Sequence, residues 1–445
     1  MTQAVILAGG KGTRLASRLG GKPKPLVDVD GTPLLRRQIE ALCEHGIDDI
    51  VILVNHAADQ IQQFVDDLQV EATITLIDDG EPRGTAGATL ACLERLEERF
   101  IVVYGDTLFD LDIAHMMAEH ERTGADATLL LHPNDHPADS DLVELDTAGR
   151  ITAFHSYPHP ADAWLRNLVN AAFYIVERRL LEPWTARMAV GDFAKDLFPA
   201  MVAEGAQLHG HVTFEYIKDI GTPKRLDKAE RQLRSGLVAR ARRTMPQRAV
   251  FVDRDGTLNR LHGHIARAED LHLIDGAGEA IRLLNEGEYR VVLVTNQPVL
   301  ARGDVDEAGL SRIHARLESE LGQSGAFLDA IYYCPHHPHA GYPGEVPDLK
   351  RDCDCRKPGT GMIVAACERL NIDLAGSWMI GDSTADIAMA NAAGLRSILV
   401  ETGEGGRDGK YQAQPTTIAP SIVEAVEFLI RHDGPHSGST QEQQS

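Results

Sequence analysis

Asp253 and Asp255, two residues apart, follow directly on the apolar run 249–252. Alternation along a strand puts both on one side of its exposed end, where one carboxylate can act as nucleophile and the other as acid and base. Further on, Thr295 ends the apolar run 291–294, Lys357 follows Arg356, and Asp382 opens the acidic run Asp382-Ser383-Thr384-Ala385-Asp386 after Gly381. A second group lies at the front of the chain, where Gly9, Gly10 and Gly12 separate the apolar run 4–8 from Thr13-Arg14-Leu15. Glycines let backbone N–H groups close on anionic oxygens without Cβ obstruction. Taken alone the loop fits a plain tight turn as well as a phosphate cradle, and its spacing is neither Gly-x-Gly-x-x-Gly nor a P-loop. Lys22 and Lys24, bracketed by Pro23 and Pro25, add fixed cations of the kind that meet a triphosphate. A third group is Cys334, His336, Cys353 and Cys355, with His337 a competing ligand. Three thiolates and an imidazole fit a closed tetrahedral Zn²⁺ site, structural because no position stays open.

These residues need a frame. Apolar runs at 4–8, 50–54, 74–77, 101–104, 127–131 and 173–176 are separated by turn residues and by amphipathic stretches of helical length, such as 34–45 and 87–98. The pattern predicts an α/β layer structure. Residues 226–243 read as a charged helix carrying Arg231, Arg234, Arg240, Arg242 and Arg243, broken at Met245-Pro246; the strand rhythm then restarts at 249 and recurs at 291–294, 378–380 and 397–400. We expect two α/β domains, 1–235 and a doubly wound 247–433, joined by a linker at 236–246 and followed by a disordered tail at 434–445, too polar to order itself. A chain of 445 residues suits two or three domains. No period of 20 to 50 residues recurs, which excludes solenoids and propellers.

Lys plus Arg number 44 against 66 Asp plus Glu, a net charge of −22 that repels a phosphate backbone, so nucleic acid is not an expected partner. No run approaches the ~20 apolar residues that span a bilayer, and the start has no basic region before its first apolar run; no membrane partner and a cytoplasmic location are expected. Six cysteines are too few for a disulfide scaffold. The expected partners are small-molecule substrates, and a homo-oligomer is compatible with the sequence.

Through Gly9 to Leu15 and Lys24 the chain resembles the sugar-1-phosphate nucleotidyltransferase family, which carries a GGxGTRL loop and a Pro-Lys-Pro lysine. In order, Gly84-Thr85-Ala86-Gly87-Ala88 resembles the family's nucleobase-contacting turn, Tyr104-Gly105-Asp106 its first metal aspartate, and Lys218-Asp219-Ile220-Gly221-Thr222-Pro223 its second. The resemblance covers roughly residues 1–232 and implies a Rossmann-like, GT-A-like fold. It further implies Mg²⁺ on Asp106 and Asp219, catalytic cations at Lys24 and Arg14, and substrate contacts from Gly9, Gly10, Gly12, Thr13, Gly84 and Thr85. The implied reaction is attack of a sugar-1-phosphate oxygen on the α-phosphorus of a nucleoside triphosphate, releasing pyrophosphate. Many members carry Asn-Ala-Gly and an upstream Glu-Lys pair that touch the sugar; here stand Asn170-Ala171-Ala172 and Phe154-His155-Ser156. Asn170 still matches, and Lys195 is a candidate cation near the sugar.

The run Asp253-Arg254-Asp255-Gly256-Thr257, with its three later companions, resembles the haloacid dehalogenase superfamily. That resemblance implies Asp253 as nucleophile, Asp255 as acid and base, Thr295 and Lys357 as phosphate-binding catalytic groups, and Mg²⁺ on Asp253, Asp382 and the Asp255 backbone carbonyl. The Cys/His arrangement is similar to the zinc loop of the histidinol-phosphate and heptose-bisphosphate phosphatases; Thr295-Asn296-Gln297 and Cys353-Asp354-Cys355-Arg356-Lys357-Pro358 most resemble the heptose 1,7-bisphosphate 7-phosphatases. There Asn296 and Arg356 are implied in substrate binding, Arg356 at the second phosphate. A phosphatase that makes a sugar-1-phosphate and a transferase that consumes one are consecutive steps, which favours a heptose pathway, with a heptose-1-phosphate guanylyltransferase resembled more than an adenylyltransferase. A mannose-1-phosphate guanylyltransferase joined to a histidinol-phosphate-type phosphatase, or a chain with one regulatory, inactive domain, are the alternatives.

Overall fold

The computed structural model describes residues 2–433 apart from 11, 79, 161 and 342; the tail expected at 434–445 lies outside the described residues. The described chain forms two units: residues 2–132, 139–159 and 168–243 in the first, and 133–138, 160–167 and 244–433 in the second.

In the first unit the strands Gln3–Leu7, Asp49–Val54, Thr73–Asp78 and Arg99–Tyr104 pair in parallel, with Gln3–Leu7 central, inside a nine-stranded sheet completed mostly by antiparallel pairings. Continuous apolar sequence is what a strand covered on both faces requires. Val5, Val51, Phe100 and Val102 enter one apolar layer, while Ala4, Ile6, Ile50, Ile52 and Val103 enter the other. Register pairs Leu7 with Tyr104, so the glycine loop and the Gly105-Asp106 turn leave adjacent strand ends together. Such carboxyl ends, where crossovers diverge, form the ligand crevice of open α/β sheets. A small antiparallel ladder of Thr107–Asp110 with Tyr216–Asp219 sets Asp219 opposite Thr107.

In the second unit six parallel strands run in the order Ala330–Cys334, Arg290–Asn296, Ala249–Val252, Trp378–Gly381, Arg396–Val400, Thr417–Ala419. Asp253, Thr295 and Asp382 therefore sit at the ends of three neighbouring strands.

The elements differ in detail from the sequence reading. The helix expected over 87–98 starts earlier, at Gly84, and ends at Ala91 before a short 3₁₀ turn, Leu93–Arg95. The charged stretch 226–243 is two helices, Pro223–Arg234 and Leu237–Arg240, because Gly236 turns left-handed between them at φ 76°. The second helix falls inside the segment read as a linker. Residues 133–138 and 160–167 belong with the second unit through specific bonds: Asn167 Nδ2 donates to the Asn134 carbonyl at 2.8 Å, Arg166 pairs with Glu318, and the Leu165 N–H donates to Ser319 Oγ at 3.0 Å. Among the described residues no helix is long and apolar enough to cross a membrane.

Candidate active sites

In the first unit a cavity of about 430 Å³ is lined by Gly9, Gly10, Lys24, Gly84, Thr85, Tyr104, Gly105 and Asp106, joining loop, lysine and aspartate. Lys24 Nζ forms an ion pair with the Asp106 carboxylate. Gly12 is left-handed at φ 62°, and a Cβ there would lie 2.9 Å from Lys24 Cβ; the glycine lets the loop fold onto the lysine. Asp219 accepts from Arg225 Nη1 at 2.5 Å and from the Gly221 N–H at 2.6 Å, while the Ile220 N–H donates to the Asp106 carbonyl at 3.0 Å, tying the two aspartate segments together. A Cβ at Gly221 would lie 2.7 Å from Asp219 Oδ1, 3.2 Å from Lys24 Nζ and 3.5 Å from Arg14 Nη2, so three charged groups surround one bare glycine. Two carboxylates among cations form an oxygen donor set suited to Mg²⁺, with Lys24 and Arg225 as the present counter-charges.

The remaining expected residues sit differently. Thr13 lies on an exposed 3₁₀ turn, from which Arg14 reaches the charged groups around Gly221. Gly84 packs against backbone: its Cβ would come 2.4 Å from the Gly191 carbonyl oxygen. The Thr85 hydroxyl donates to Asp192 at 2.7 Å and accepts from Tyr104 OH and the Phe193 N–H, so it braces the cavity wall. Lys195 is exposed on the turn capped by Asp192, and neither it nor Asn170 lines the cavity. Ala172, where the family carries glycine, nevertheless adopts φ 57°, at the register shift between Asn170 and Tyr174. The reading missed Gln38, which is buried and donates to the carbonyls of Tyr104 at 2.9 Å and Thr107 at 2.7 Å, clasping the turn that bears Asp106. A glutamine on the apolar face of helix Leu34–Glu44 was its only signal.

In the second unit Asp253, Asp382 and Asp386 are buried with ligand atoms all within 4.8 Å of one another. Lys357 Nζ donates to Asp253 at 2.5 Å, Asp386 at 2.6 Å and the Val294 carbonyl at 3.1 Å. Burial, reinforced by the neighbouring carboxylates, pushes Asp253 up to about 7 and Asp382 up to about 8; Lys357 is held above its ordinary value because the two aspartates outweigh its burial. One ammonium against three buried carboxylates leaves room, electrostatically, for a hard divalent cation. Gly256, at φ 90°, and Gly403, at φ 59°, both press on Asp382: a Cβ at either would come within 2.1 Å of Oδ2. The Glu404 N–H completes that wall by donating to Asp382 Oδ2 at 2.7 Å.

The Asp255 side chain is absent from this carboxylate cluster. Arg254 Nη2 donates to it at 2.8 Å, Gln297 Nε2 at 2.9 Å and Asn259 Nδ2 at 3.1 Å, and these bonds outweigh burial and hold its carboxyl below the usual range. Gln297 Nε2 also reaches Thr295 Oγ1 at 2.9 Å, joining two expected catalytic groups. Asn296 exchanges hydrogen bonds with the backbone of Lys357, accepting from its N–H at 3.0 Å and donating to its carbonyl at 3.3 Å, so here it positions the lysine. Asp386, Gln297, Asn259 and Arg254 were not among the expected site residues; Asp386 stood in the quoted acidic motif, and its capping box with Ser383 explains its inward aim.

Cys334, His336, Cys353 and Cys355 converge as one set. Their sulfurs lie 3.2 to 3.5 Å apart, and His336 Nδ1 is 3.3 Å from Cys355 Sγ. No disulfide joins them. Edges near the ~3.8 Å of a tetrahedron built on 2.3 Å metal–sulfur bonds match a Zn²⁺ donor set. His337 instead turns its Nδ1 to the His339 N–H at 3.2 Å. Arg356 Nη1 donates to the His336 carbonyl at 3.1 Å, so the loop carrying the cluster also fixes this arginine.

These geometries agree with what the chain is similar to. A family profile described as nucleotidyl transferase matches residues 3–236, and one described as HAD-hydrolase-like matches 354–425. The D-glycero-D-manno-heptose-1,7-bisphosphate 7-phosphatase of Thermosynechococcus vestitus is 43% identical over 198 residues, covering 43% of this chain and all of that protein. The D-glycero-beta-D-manno-heptose-1,7-bisphosphate 7-phosphatase of Haemophilus ducreyi is 39% identical over 188 residues, covering 42% of this chain and all of its own. Among solved structures, HddC from Yersinia pseudotuberculosis is 28% identical, covering 52% of this chain and 100% of that one, with a TM-score of 0.46. The chain belongs to the nucleotidyl transferase family through its first unit and to the heptose-1,7-bisphosphate 7-phosphatases of the HAD class through its second. It is an enzyme with a transferase half and a phosphatase half.

Proposed function

We propose that the second unit hydrolyses the 7-phosphate of D-glycero-D-manno-heptose 1,7-bisphosphate and that the first couples the resulting heptose 1-phosphate to a nucleoside monophosphate, GMP in preference, with release of pyrophosphate. The observation that carries this reading is that each unit sets a lysine against an aspartate that follows a parallel strand, Lys24 on Asp106 and Lys357 on Asp253, inside two domains whose relatives act on phosphates.

In the phosphatase half a carboxylate oxygen of Asp253 attacks phosphorus as the bond to the C7 oxygen breaks, giving an aspartyl-phosphate. Asp255 gives its proton to the departing alkoxide; the incoming phosphate raises its proton affinity, offsetting the guanidinium of Arg254. Asp255 then takes a proton from water, which attacks phosphorus and frees Asp253 and inorganic phosphate. Lys357, beside Asp253, and Thr295 spread the charge of the transferring group. Asp253, Asp382 and Asp386 would hold Mg²⁺, which supplies charge neutralisation. Cys334, His336, Cys353 and Cys355 would hold a structural Zn²⁺ that shapes the loop leading to Arg356, a cation suited to the second phosphate.

In the transferase half the 1-phosphate oxygen attacks the α-phosphorus of the triphosphate, and pyrophosphate leaves. No protein nucleophile is required; the glycine loop, Lys24 and Arg14 orient and neutralise the phosphates. Asp106 and Asp219 would hold Mg²⁺ there. Preference for GMP rests on the sequence resemblance to heptose-1-phosphate guanylyltransferases.

Reciprocal variants test the division of labour. Asp253→Asn is expected to lower phosphate release at least about a thousandfold while pyrophosphate formation from heptose 1-phosphate stays unchanged, and Asp106→Asn is expected to do the reverse. Loss of both activities in either variant, or of neither, contradicts the assignment.

A further inference from the structure

A cluster outside both active sites remains unexplained by the chemistry above. His115 and Glu119 lie four residues apart on the helix Ile113–Thr123, hence on one face. His209 and His211 alternate along the strand Leu208–Val212 and so point to one side. That strand pairs with Ala127–His132 in the nine-stranded sheet, and on its other side Arg150 bridges His209 while the Gly210 N–H donates to the Gly149 carbonyl at 2.9 Å. The two faces meet: His209 Nε2 lies 3.0 Å from Glu119 Oε1, His211 Nδ1 hydrogen-bonds Glu119 Oε2, and the His115 and His211 rings stand edge-on with centroids 5.4 Å apart. His115, Glu119 and His211 each offer a ligand atom, all within 4.8 Å of one another.

We infer that His115, Glu119 and His211 form a further site for one divalent transition-metal ion, Zn²⁺ being the best match, which pins the strand Leu208–Val212 to the helix Ile113–Thr123. Two imidazoles and a carboxylate suit Zn²⁺ or its neighbours in the first transition row, with a fourth position left for water. His209 has the orienting role, since its bond to Oε1 fixes the carboxylate while Oε2 faces the other ligands. The ring of His209 is itself held in place, because a Cβ at Gly149 would come 2.6 Å from its Cε1. The ligands mix access with enclosure: the His211 side chain is 5% exposed and that of Glu119 24%. Arg122 Nη2 sits 3.7 Å from Glu119 Oε1 and opposes a cation, but its side chain is 70% exposed and free to swing into water. The site should therefore bind more weakly than the cysteine cluster.

The test is a Zn²⁺ titration of the full chain against a chromophoric chelator, in excess Mg²⁺ to fill the carboxylate sites, with bound metal counted after gel filtration. The wild type is expected to take up two equivalents, one tight and one weaker. His115→Gln, Glu119→Gln and His211→Ala are each expected to lose the weaker equivalent or bind it at least tenfold less tightly, and to keep the tight one. Cys353→Ser is expected to show the opposite loss. His115→Gln is at a partly exposed helical position and decides the matter if His211→Ala does not fold. Uptake of only the cysteine-dependent equivalent by the wild type, or a second equivalent that survives His115→Gln and Glu119→Gln unweakened, overturns the proposal.

Discussion

At the scale of single residues the phosphatase half is governed by how closely backbone approaches Asp382. Gly256→Ala forces a Cβ into the Asp382 carboxylate at a position whose φ of 90° already resists a side chain. The expected result is a roughly hundredfold fall in phosphate release, as for a catalytic group displaced by about an ångström, with nucleotidyl transfer unaltered. Steady-state assays of both reactions on one preparation check it. The residues proposed to react could be picked out of the sequence because Asp253, Thr295 and Asp382 end or follow apolar strand runs and Lys357 completes the same ordered set. Those that orient them were not. Gln297 joins Asp255 to Thr295, and Gln38 clasps the turn below Asp106, by aiming a neutral amide across the sheet, and an amide in a helix or loop carries no mark of its destination.

Secondary-structure elements show the same division between pattern and context. Apolar runs located strands such as Gln3–Leu7 and Arg99–Tyr104 because both their faces are buried, whereas helix ends such as Gly84, set by contact with Gly191, depended on tertiary neighbours. The bulge after Asn170 survives the loss of its glycine, since Ala172 still holds φ 57°. A left-handed alanine is strained by roughly 1 kcal/mol, so Ala172→Gly should leave the bulge in place and stabilise the first unit by up to about 1 kcal/mol, read from its urea midpoint. In the second unit the helix Glu307–Gln323 buries His314, whose Nε2 has no hydrogen-bond partner among the described residues. Burial, then the charges of Arg254 and Arg166, depress its proton affinity well below the ordinary imidazole value. The unfolded chain therefore binds the proton more readily than the folded one. Stability should rise with pH up to about 6.5 and then level, at about 1.4 kcal/mol per unit below that value from this group. Melting temperatures measured from pH 5 to 7.5 should show a shallower slope for His314→Gln than for the wild type; an unchanged slope would count against a neutral buried imidazole.

For the whole molecule the account joins two catalytic units in one covalent chain. With a net charge of −22, the proposed function requires local cations, Lys24 and Arg14 in one unit and Lys357 and Arg356 in the other, to receive anionic substrates. The domain count and order were legible from the restart of strand rhythm at 249. The assignment of 133–138 and 160–167 to the second unit was not, because it rests on side-chain bonds such as Arg166 to Glu318 that leave no periodic trace. The most direct test of successive phosphorus chemistry is mass spectrometry of products formed from heptose 1,7-bisphosphate supplied with all four nucleoside triphosphates and Mg²⁺. The account predicts a nucleoside diphosphate heptose, guanosine foremost, formed with one inorganic phosphate and one pyrophosphate per sugar. A nucleotide-linked heptose that still carries its 7-phosphate, or heptose 1-phosphate accumulating with no triphosphate consumed, would contradict it.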